Sequence, residues 1–192
     1  MILYVTKETF KRYKLKMPNE MELPSVKAIS ESVIEKETGD SLMEWGGKLF
    51  YFDRRKCLQV VNFASKLTLV LVDIKVDDLS SVGNLIANYL LDIYSESKEM
   101  KKILEKHFEL HPAMCFSKLT DKSIISTLNR TEMSWLDYGY KLYDYIDDRI
   151  LHTVDLNKEI NRQWLFCIKK GNKKEYVYGA EEFERLMKER YK

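Results

Sequence analysis

Residues 48–73 contain three short apolar runs separated by polar turns, and this pattern constrains the fold more than any other part of the chain. The runs at 49–52, 57–63 and 67–72 have strand length and are rich in leucine, aromatic and β-branched residues. They therefore predict a three-stranded meander. The third run is apolar on both faces, which predicts a central strand that is covered on both sides.

The rest of the chain supplies helices and further strands. Residues 2–5 and 113–117 are short and apolar enough for strands, and a threonine that can cap a short basic helix follows the first of them. Apolar residues at helical spacing predict a helix after residue 77, a second one that ends before Pro112, and a third from 120 or 121 to 150, which Gly139 could interrupt or bend. A hairpin around Gly171 and an amphipathic helix complete the series.

These elements predict an α+β fold with a small, mainly antiparallel sheet packed by helices. The chain has only 7 Gly and 3 Pro, and no stretch has the composition of an interdomain linker. We therefore expect one domain over 1–192. Within it, the proline-containing, acidic stretch 17–41 is expected to be a surface insertion, and 155–192 a docked C-terminal hairpin and helix.

Overall charge does not select a partner. The 32 Lys and Arg residues face 30 Asp and Glu residues, so any preference for nucleic acid must come from local patches. The apolar start of the chain is too short for the core of a signal peptide, and no later run has membrane-spanning length. Three widely spaced cysteines are interpreted as buried, reduced thiols. We expect a cytoplasmic protein with no membrane partner.

The first turn of the meander carries the strongest candidate binding site. It reads Asp53-Arg54-Arg55-Lys56, in which three cations can project from the tip. A solvated turn explains such charges, but the planar fork of arginine also suits phosphate or carboxylate. Lys118 and Lys122 are predicted to belong to the same binding surface. Further cations and tyrosines can extend it as phosphate contacts and base-stacking groups: Lys7, Lys11, Arg12, the turn 169–174, Tyr51, Tyr138, Tyr140 and Tyr143.

Asp144, Asp147 and Asp148 form the alternative candidate site. On a helix, their i, i+3 and i+4 spacing places them on one face, where they could bind magnesium or manganese for phosphodiester cleavage. A solvated helix end paired with Arg149 or Lys141 explains them as well. His107, His111 and Cys115 lack the geometry of a zinc site because Pro112 interrupts them. No metal or other cofactor is predicted.

Three short motifs resemble a bacterial family of uncharacterised proteins. They are Asp-Arg-Arg-Lys-Cys at 53–57, a segment similar to 118–129 that leads into a helix with Ser and Asn, and an Asn-Arg pair similar to Asn161-Arg162. The chain departs from this pattern in the acidic stretch before Trp45 and in the tyrosine-rich part of the third helix. The resemblance implies a single bacterial domain and no mechanism.

The sequence thus leaves three functional hypotheses. The first is a non-enzymatic binding module that contacts a protein or a nucleic acid through the basic hairpin tip. The second is a metal-dependent nuclease or hydrolase that uses the aspartate cluster, with or without Asp53. The third is an interaction protein of a toxin–antitoxin or phage-defence system, which only the family resemblance suggests.

Overall fold

A five-stranded sheet forms the centre of the molecule. The structure is a computed structural model that describes residues 1–192, apart from the side chain of Lys170. The spatial order of the strands is β4-β3-β2-β1-β5. Their bounds are Ile2–Val5 for β1, Glu44–Phe52 for β2, Arg55–Asn62 for β3, Thr68–Leu71 for β4 and Cys115–Lys118 for β5.

The meander predicted from residues 48–73 is confirmed. β2 pairs antiparallel with β3, and β3 pairs antiparallel with β4. β1 extends the sheet in the parallel sense, because it pairs in parallel with β2 on one side and with β5 on the other. The α+β fold class is therefore confirmed, with an antiparallel half and a parallel half in one mixed sheet.

Helices cover both faces of the sheet, and three of the seven begin at a residue whose side chain caps the helix. Thr6, Ser97 and Asp121 each accept a hydrogen bond from a backbone N–H of the first turn of the helix that follows. The helices are α1 (Lys7–Arg12), α2 (Pro24–Glu37), α3 (Val82–Ile93), α4 (Lys98–Leu110), α5 (Lys122–Arg130), α6 (Thr153–Gln163) and α7 (Gly179–Tyr191). None of the helices in the described part of the chain is long and apolar enough to cross a membrane.

Side chains alternate between the two faces of the sheet along each strand, so the core consists of separate clusters on the two faces. Leu58 and Val60 of β3 face the larger cluster, which they share with residues of α3, α4 and α7. Cys57 and Val61 point to the opposite face. There Cys57 packs in a cluster with residues of α6, and Val61 packs with Ile124 and Leu128 of α5.

The prediction that the third strand is central was wrong. β4 lies at the edge of the sheet, although all four of its residues are buried. α6 covers this edge with two asparagine side chains. The Asn157 carboxamide accepts a hydrogen bond from the N–H of Val70 and donates one to its carbonyl. The Asn161 carboxamide does the same with Thr68. A strand at a covered edge is buried on both faces, as a central strand is, and its residues are therefore apolar on both faces.

The prediction of one helix from residue 120 or 121 to 150 was also wrong. α5 ends at Arg130 and continues as a π-helical turn at Thr131–Trp135, followed by a kinked 3₁₀ segment at Asp137–Tyr145. A short hairpin then forms between β6 (Ile146–Asp147) and β7 (Ile150–Leu151). Left-handed backbone at Tyr138 and Gly139 ends the helical path at the glycine where an interruption was considered.

The predicted C-terminal hairpin and helix are confirmed. β8 (Leu165–Lys170) and β9 (Lys173–Tyr178) form an antiparallel hairpin, and α7 follows directly. Gly171 has a φ of 61°, which the turn requires and glycine tolerates. α7 packs its apolar side, including Phe183 and Met187, into the larger core cluster.

Candidate functional site

The turn between β2 and β3 is as tight as a hairpin allows. Phe52 pairs with Arg55, so only Asp53 and Arg54 connect the two strands, with φ values of 45° and 65°. Positive φ at both positions is typical of a type I′ turn, which matches the twist of a hairpin and favours Asn and Gly. An arginine in this conformation is unusual and keeps its side chain at the extreme end of the meander.

The three cations predicted to project from this turn behave differently. The Lys56 ammonium lies over the ring of Tyr13, 5.3 Å from its centroid. The Arg55 guanidinium donates to Asp73 at 2.9 Å in an exposed ion pair. Among the side chains that the structure describes, Arg54 is exposed and has no ion pair. The tip therefore offers one unpaired arginine rather than a cluster of three free cations.

The kinked segment after α5 brings tyrosines to the same place. Tyr138 and Gly139 have φ values of 55° and 96°, and the chain turns back there onto β2. A Cβ at Gly139 would lie 3.2 Å from the carbonyl oxygen of Tyr51, so a larger residue would push the segment away. Glycine thus satisfies both the backbone conformation and the close approach.

Tyr143 joins this segment to the turn. Its hydroxyl donates a short hydrogen bond to the Asp53 carboxylate, and its ring meets Phe52 edge-on with centroids 4.8 Å apart. The hydrogen bond to Asp53 raises the pKa of Tyr143, because the carboxylate favours the protonated phenol. The contact holds Asp53 in place and leaves the neighbouring Arg54 free.

The result is an end of the meander that we call the tyrosine tip: Arg54 at the turn, Tyr138, Tyr140 and Tyr143 on the face of β2 that carries Phe50 and Phe52, and Tyr51 on the other face. All four tyrosines are exposed, and Tyr140 reaches 68%. Tyrosines at a core edge usually bury most of the ring and expose only the hydroxyl. An aromatic surface of this kind is available for contact with another molecule.

Acidic groups balance the positive charge around the tyrosine tip. Asp53 and Asp73 flank the turn, and Asp144 pairs with Lys141 at 3.0 Å. Side chains of both signs therefore alternate here. This is not the continuous basic track that follows a nucleic-acid backbone.

Lys118 and Lys122 lie away from the tyrosine tip. Lys118 pairs with Val5, and Val5 pairs with Gly47, so Lys118 lies beside Gly47 in the sheet. The turn comes later in the chain, after Phe52 at the end of β2. The separation is roughly 17 Å along the strands and roughly 10 Å across them. Lys122, in the first turn of α5, lines a separate groove. The residues predicted to form one binding surface therefore lie in separate places: Arg54, Arg55 and Lys56 at the turn, and Lys118 and Lys122 away from it.

The three aspartates of the alternative site do not share a helix face. Asp144 belongs to the 3₁₀ segment, Asp147 to β6, and Asp148 to the turn before β7. Among the described side chains, no group of three or more His, Cys, Asp and Glu residues is placed to hold a metal ion. The geometric argument for this site, which assumed a continuous helix, is lost.

The cysteines and histidines considered as nucleophiles or metal ligands are buried or hydrogen-bonded within the fold. Burial raises the pKa of the Cys57 and Cys115 thiols to about 11 each, so both are protonated near neutral pH and poorly nucleophilic. All three cysteines are free. The His107 and His111 rings each engage Nδ1 in a hydrogen bond of 2.8 Å, with Tyr191 and Glu37 respectively.

Sequence reasoning placed the four tyrosines beside the basic turn but did not identify the contact that joins them, the hydrogen bond from Tyr143 to Asp53. The one signal for it in the sequence is the run Tyr138-Gly139-Tyr140, where a glycine between aromatic residues indicates an interrupted helix. Asp148 and Arg149 repeat the Asp-Arg pair of the first turn, and their φ values of 45° and 68° show a second turn of the same kind.

The fold and this surface define a class: an α+β protein built on a mixed five-stranded sheet, with aromatic side chains displayed at the end of its meander. The chain belongs to the family described as Domain of unknown function (DUF6933), whose model matches residues 2–182. The family resemblance is thereby confirmed at the level of a domain of unknown function. No curated protein and no solved structure matches the chain.

Proposed function

We propose that this protein is a non-enzymatic binding module that docks a protein partner through the tyrosine tip. The observation that carries the proposal is the display of four exposed tyrosines and the unpaired Arg54 at one end of the meander. Tyrosine and arginine are the residues most enriched at the energetic centres of protein interfaces. A tyrosine ring also supplies a large contact area and loses few rotatable bonds on binding.

The charge distribution favours a protein over a nucleic acid. Lys56 and Arg55 are already engaged by Tyr13 and Asp73, which leaves Arg54 as the unpaired cation of the turn among the described side chains. Nucleic-acid affinity depends mainly on many cations that neutralise phosphates. One arginine within an aromatic surface instead suits a partner that presents a carboxylate beside an apolar patch.

Backbone conformation supports the same proposal. Arg54 and Tyr138 both adopt left-handed backbone, which costs of the order of 1 kcal/mol or more for each residue with a Cβ. Such residues concentrate at binding and catalytic sites, where the local cost is balanced by interactions elsewhere in the protein. Here the anchors are the Tyr143–Asp53 hydrogen bond and the contact of Gly139 with β2.

The test compares partner capture by matched variants. We expect Arg54→Glu with Tyr140→Ser to retain the wild-type melting temperature, because both side chains are exposed, and to lose a protein that the wild type retains from cell extract. Tyr176→Ser is the control, since Tyr176 is as exposed as Tyr140, at 68%, but lies in β9. Calorimetry with the purified partner should then show at least a tenfold loss of affinity in the double variant only.

A second measurement separates the nucleic-acid alternative. Fluorescence anisotropy with a labelled 20-nucleotide single strand, DNA or RNA, should show no binding at physiological salt. Tight binding that weakens steeply with salt and disappears in the Arg54→Glu, Tyr140→Ser variant would replace the protein partner by a nucleic acid. Equal partner capture by the wild type and this variant would contradict the proposal.

The cellular setting belongs to the same proposal. A bacterial cytoplasm agrees with three free cysteines, two of which are buried, because thiols stay reduced there. The Asp-Arg-Arg-Lys-Cys motif then has a structural meaning. It places Arg54 at the tip, pairs Arg55 with Asp73 and buries Cys57 at the start of β3.

A further inference from the structure

A groove of about 840 Å³ opens at the end of β3 opposite the tyrosine tip. Its floor is the loop that joins β3 to β4, and its walls come from α5, β8 and α7. Aromatic side chains of three different elements line it: Phe63, Trp135 and Phe166. A concave site of this volume, with apolar walls and a few polar groups, has the form of a small-molecule pocket.

Lys66 is the unusual residue of this groove. It is only 7% exposed, and its ammonium donates to the main-chain carbonyl of Phe63 at 2.9 Å. Among the described side chains, no carboxylate forms an ion pair with it. Burial lowers its pKa, while the charge of Asp121 acts in the opposite direction. An ammonium that is buried without a direct ion pair is costly, and two of its three protons are left for another acceptor.

The loop that carries Lys66 is held rigidly. The Asn62 carboxamide accepts hydrogen bonds from the backbone N–H groups of Ala64 and Ser65 and donates to the carbonyl of Leu42. Lys66 itself has a φ of 62°. Buried hydrogen bonds therefore hold the backbone on both sides of Lys66, and the bond to the Phe63 carbonyl positions its ammonium.

The other charged groups leave the groove with unneutralised positive charge. Lys122, Arg130 and Lys169 line its mouth and are exposed. The lining holds only two acidic residues against five basic ones. Asp121 accepts from the N–H of Ile124 at 2.8 Å as the cap of α5, and Glu182 binds the Arg185 guanidinium at 2.7 Å.

We propose that this groove binds a small organic anion in which an aromatic or heterocyclic body carries a phosphate or carboxylate group. The anionic group would accept from Lys66, and the body would lie against Phe63, Trp135 and Phe166. The exposed cations at the mouth would draw the ligand in. This site is independent of the tyrosine tip and of the partner proposed for it.

The test is isothermal titration of the full chain with four probes: adenosine monophosphate, phenylacetate, adenosine and inorganic phosphate. We expect one of the first two to bind with a dissociation constant below 1 mM, and adenosine and phosphate to bind at least tenfold more weakly. The first two probes separate a phosphorylated ligand from a carboxylated one. Failure of both to bind at millimolar concentration, or equal binding of adenosine, would overturn the proposal.

Variants assign the binding to Lys66. Lys66→Met keeps the length of the side chain and removes the buried charge, so we expect an unchanged or higher melting temperature and at least tenfold weaker binding. Lys118→Met is the matched control, because Lys118 is exposed and lies outside the groove lining. If Lys66→Met fails to fold, Arg130→Met at the mouth should weaken binding about fivefold. Unchanged affinity in the folded groove variants would leave Lys66 with a structural role only.

Discussion

At the scale of single residues, the two Asp-Arg turns are the most informative feature. Both place an arginine in left-handed backbone, Arg54 with a φ of 65° and Arg149 with a φ of 68°. Glycine is the residue that such positions favour, because it has no Cβ to clash with the preceding backbone. Arginine at either position therefore reduces stability locally.

Arg54→Gly should consequently stabilise the protein. We expect the free energy of unfolding to rise by about 0.5 to 1 kcal/mol, since relief of the left-handed backbone exceeds the entropy that glycine costs. Urea denaturation at neutral pH measures the change. The same substitution should abolish partner capture, because it removes the unpaired cation of the tyrosine tip.

Arg149→Gly and Arg55→Gly serve as the comparison for this substitution. Arg149 has nearly the same backbone and should gain similar stability. Arg55 lies in β3 and pairs with Asp73, so glycine there should lower stability by about 1 kcal/mol. A loss of stability in Arg54→Gly would show that its backbone carries no strain.

At the scale of elements, α6 covers the edge of β4, and two of its asparagine side chains make the hydrogen bonds that a neighbouring strand would make. Asn157 and Asn161 are four residues apart, which is roughly 6 Å along α6. Their partners Val70 and Thr68 are two residues apart, which is roughly 6.6 Å along β4. The two repeats match, so each carboxamide meets one residue of the strand. Arg162, next to this pair, donates to the carbonyl of Ile93 and ties α6 to α3.

Removal of one of these asparagines should lower the free energy of unfolding, because part of the strand edge would lose its hydrogen-bond partner. We expect Asn161→Ala to reduce the free energy of unfolding by about 2 to 4 kcal/mol, because the N–H and C=O of Thr68 would stay buried without partners. Asn161→Asp should be at least as damaging, since a carboxylate cannot donate to the carbonyl. Urea denaturation measures both changes.

Hydrogen exchange of the β4 amides distinguishes this explanation from a general loss of packing. Protection of the Thr68 amide should fall first in the Asn161 variants, and protection of Val70 in Asn157→Ala. Gln163→Ala is the control, because Gln163 is an exposed residue of the same helix. Uniform loss of protection throughout the sheet would argue against a local role in covering the edge.

At the scale of the whole molecule, a buried histidine cluster joins elements that are distant in sequence. His107 at the end of α4 hydrogen-bonds to Tyr191 of α7, and His111 pairs with Glu37 of α2. The two imidazole rings are 5.3 Å apart. Burial, followed by the nearby charges of His111 and Arg190, lowers the pKa of His107 to about 3.

This lowered pKa predicts that stability depends on pH through His107. The unfolded chain binds a proton at the ordinary histidine pKa of 6.5, whereas the folded chain binds one only near 3. The stabilising contribution is therefore complete above pH 6.5 and is lost as the pH falls towards 3. Between pH 7 and 4.5 the loss should be about 2 to 3 kcal/mol.

His107→Gln tests this dependence, because glutamine can hydrogen-bond to Tyr191 but does not titrate. The difference in unfolding free energy between pH 7 and 4.5 should be smaller in this variant than in the wild type by about 2 kcal/mol. His152→Gln is the control, since His152 is exposed. An identical acid response in His107→Gln and the wild type would contradict the assignment.

The sequence by itself determined the elements whose signals are local. Apolar runs of strand length established the meander, and capping residues such as Thr6 and Asp121 marked the starts of helices. The Gly-Asn turn at Gly171 established the last hairpin. These features depend on residues close together in the chain, so their physical causes can be recognised without the fold.

Only the tertiary structure decided what depends on contacts between distant segments. It placed β4 at an edge, because two asparagines of a later helix supply the missing strand partner. It interrupted the predicted helix at Gly139 so that Tyr143 reaches Asp53, and it buried Lys66 in a groove that α5 also lines. Spacing along a chain cannot show which surfaces meet, since that depends on packing and hydrogen bonds across the whole molecule.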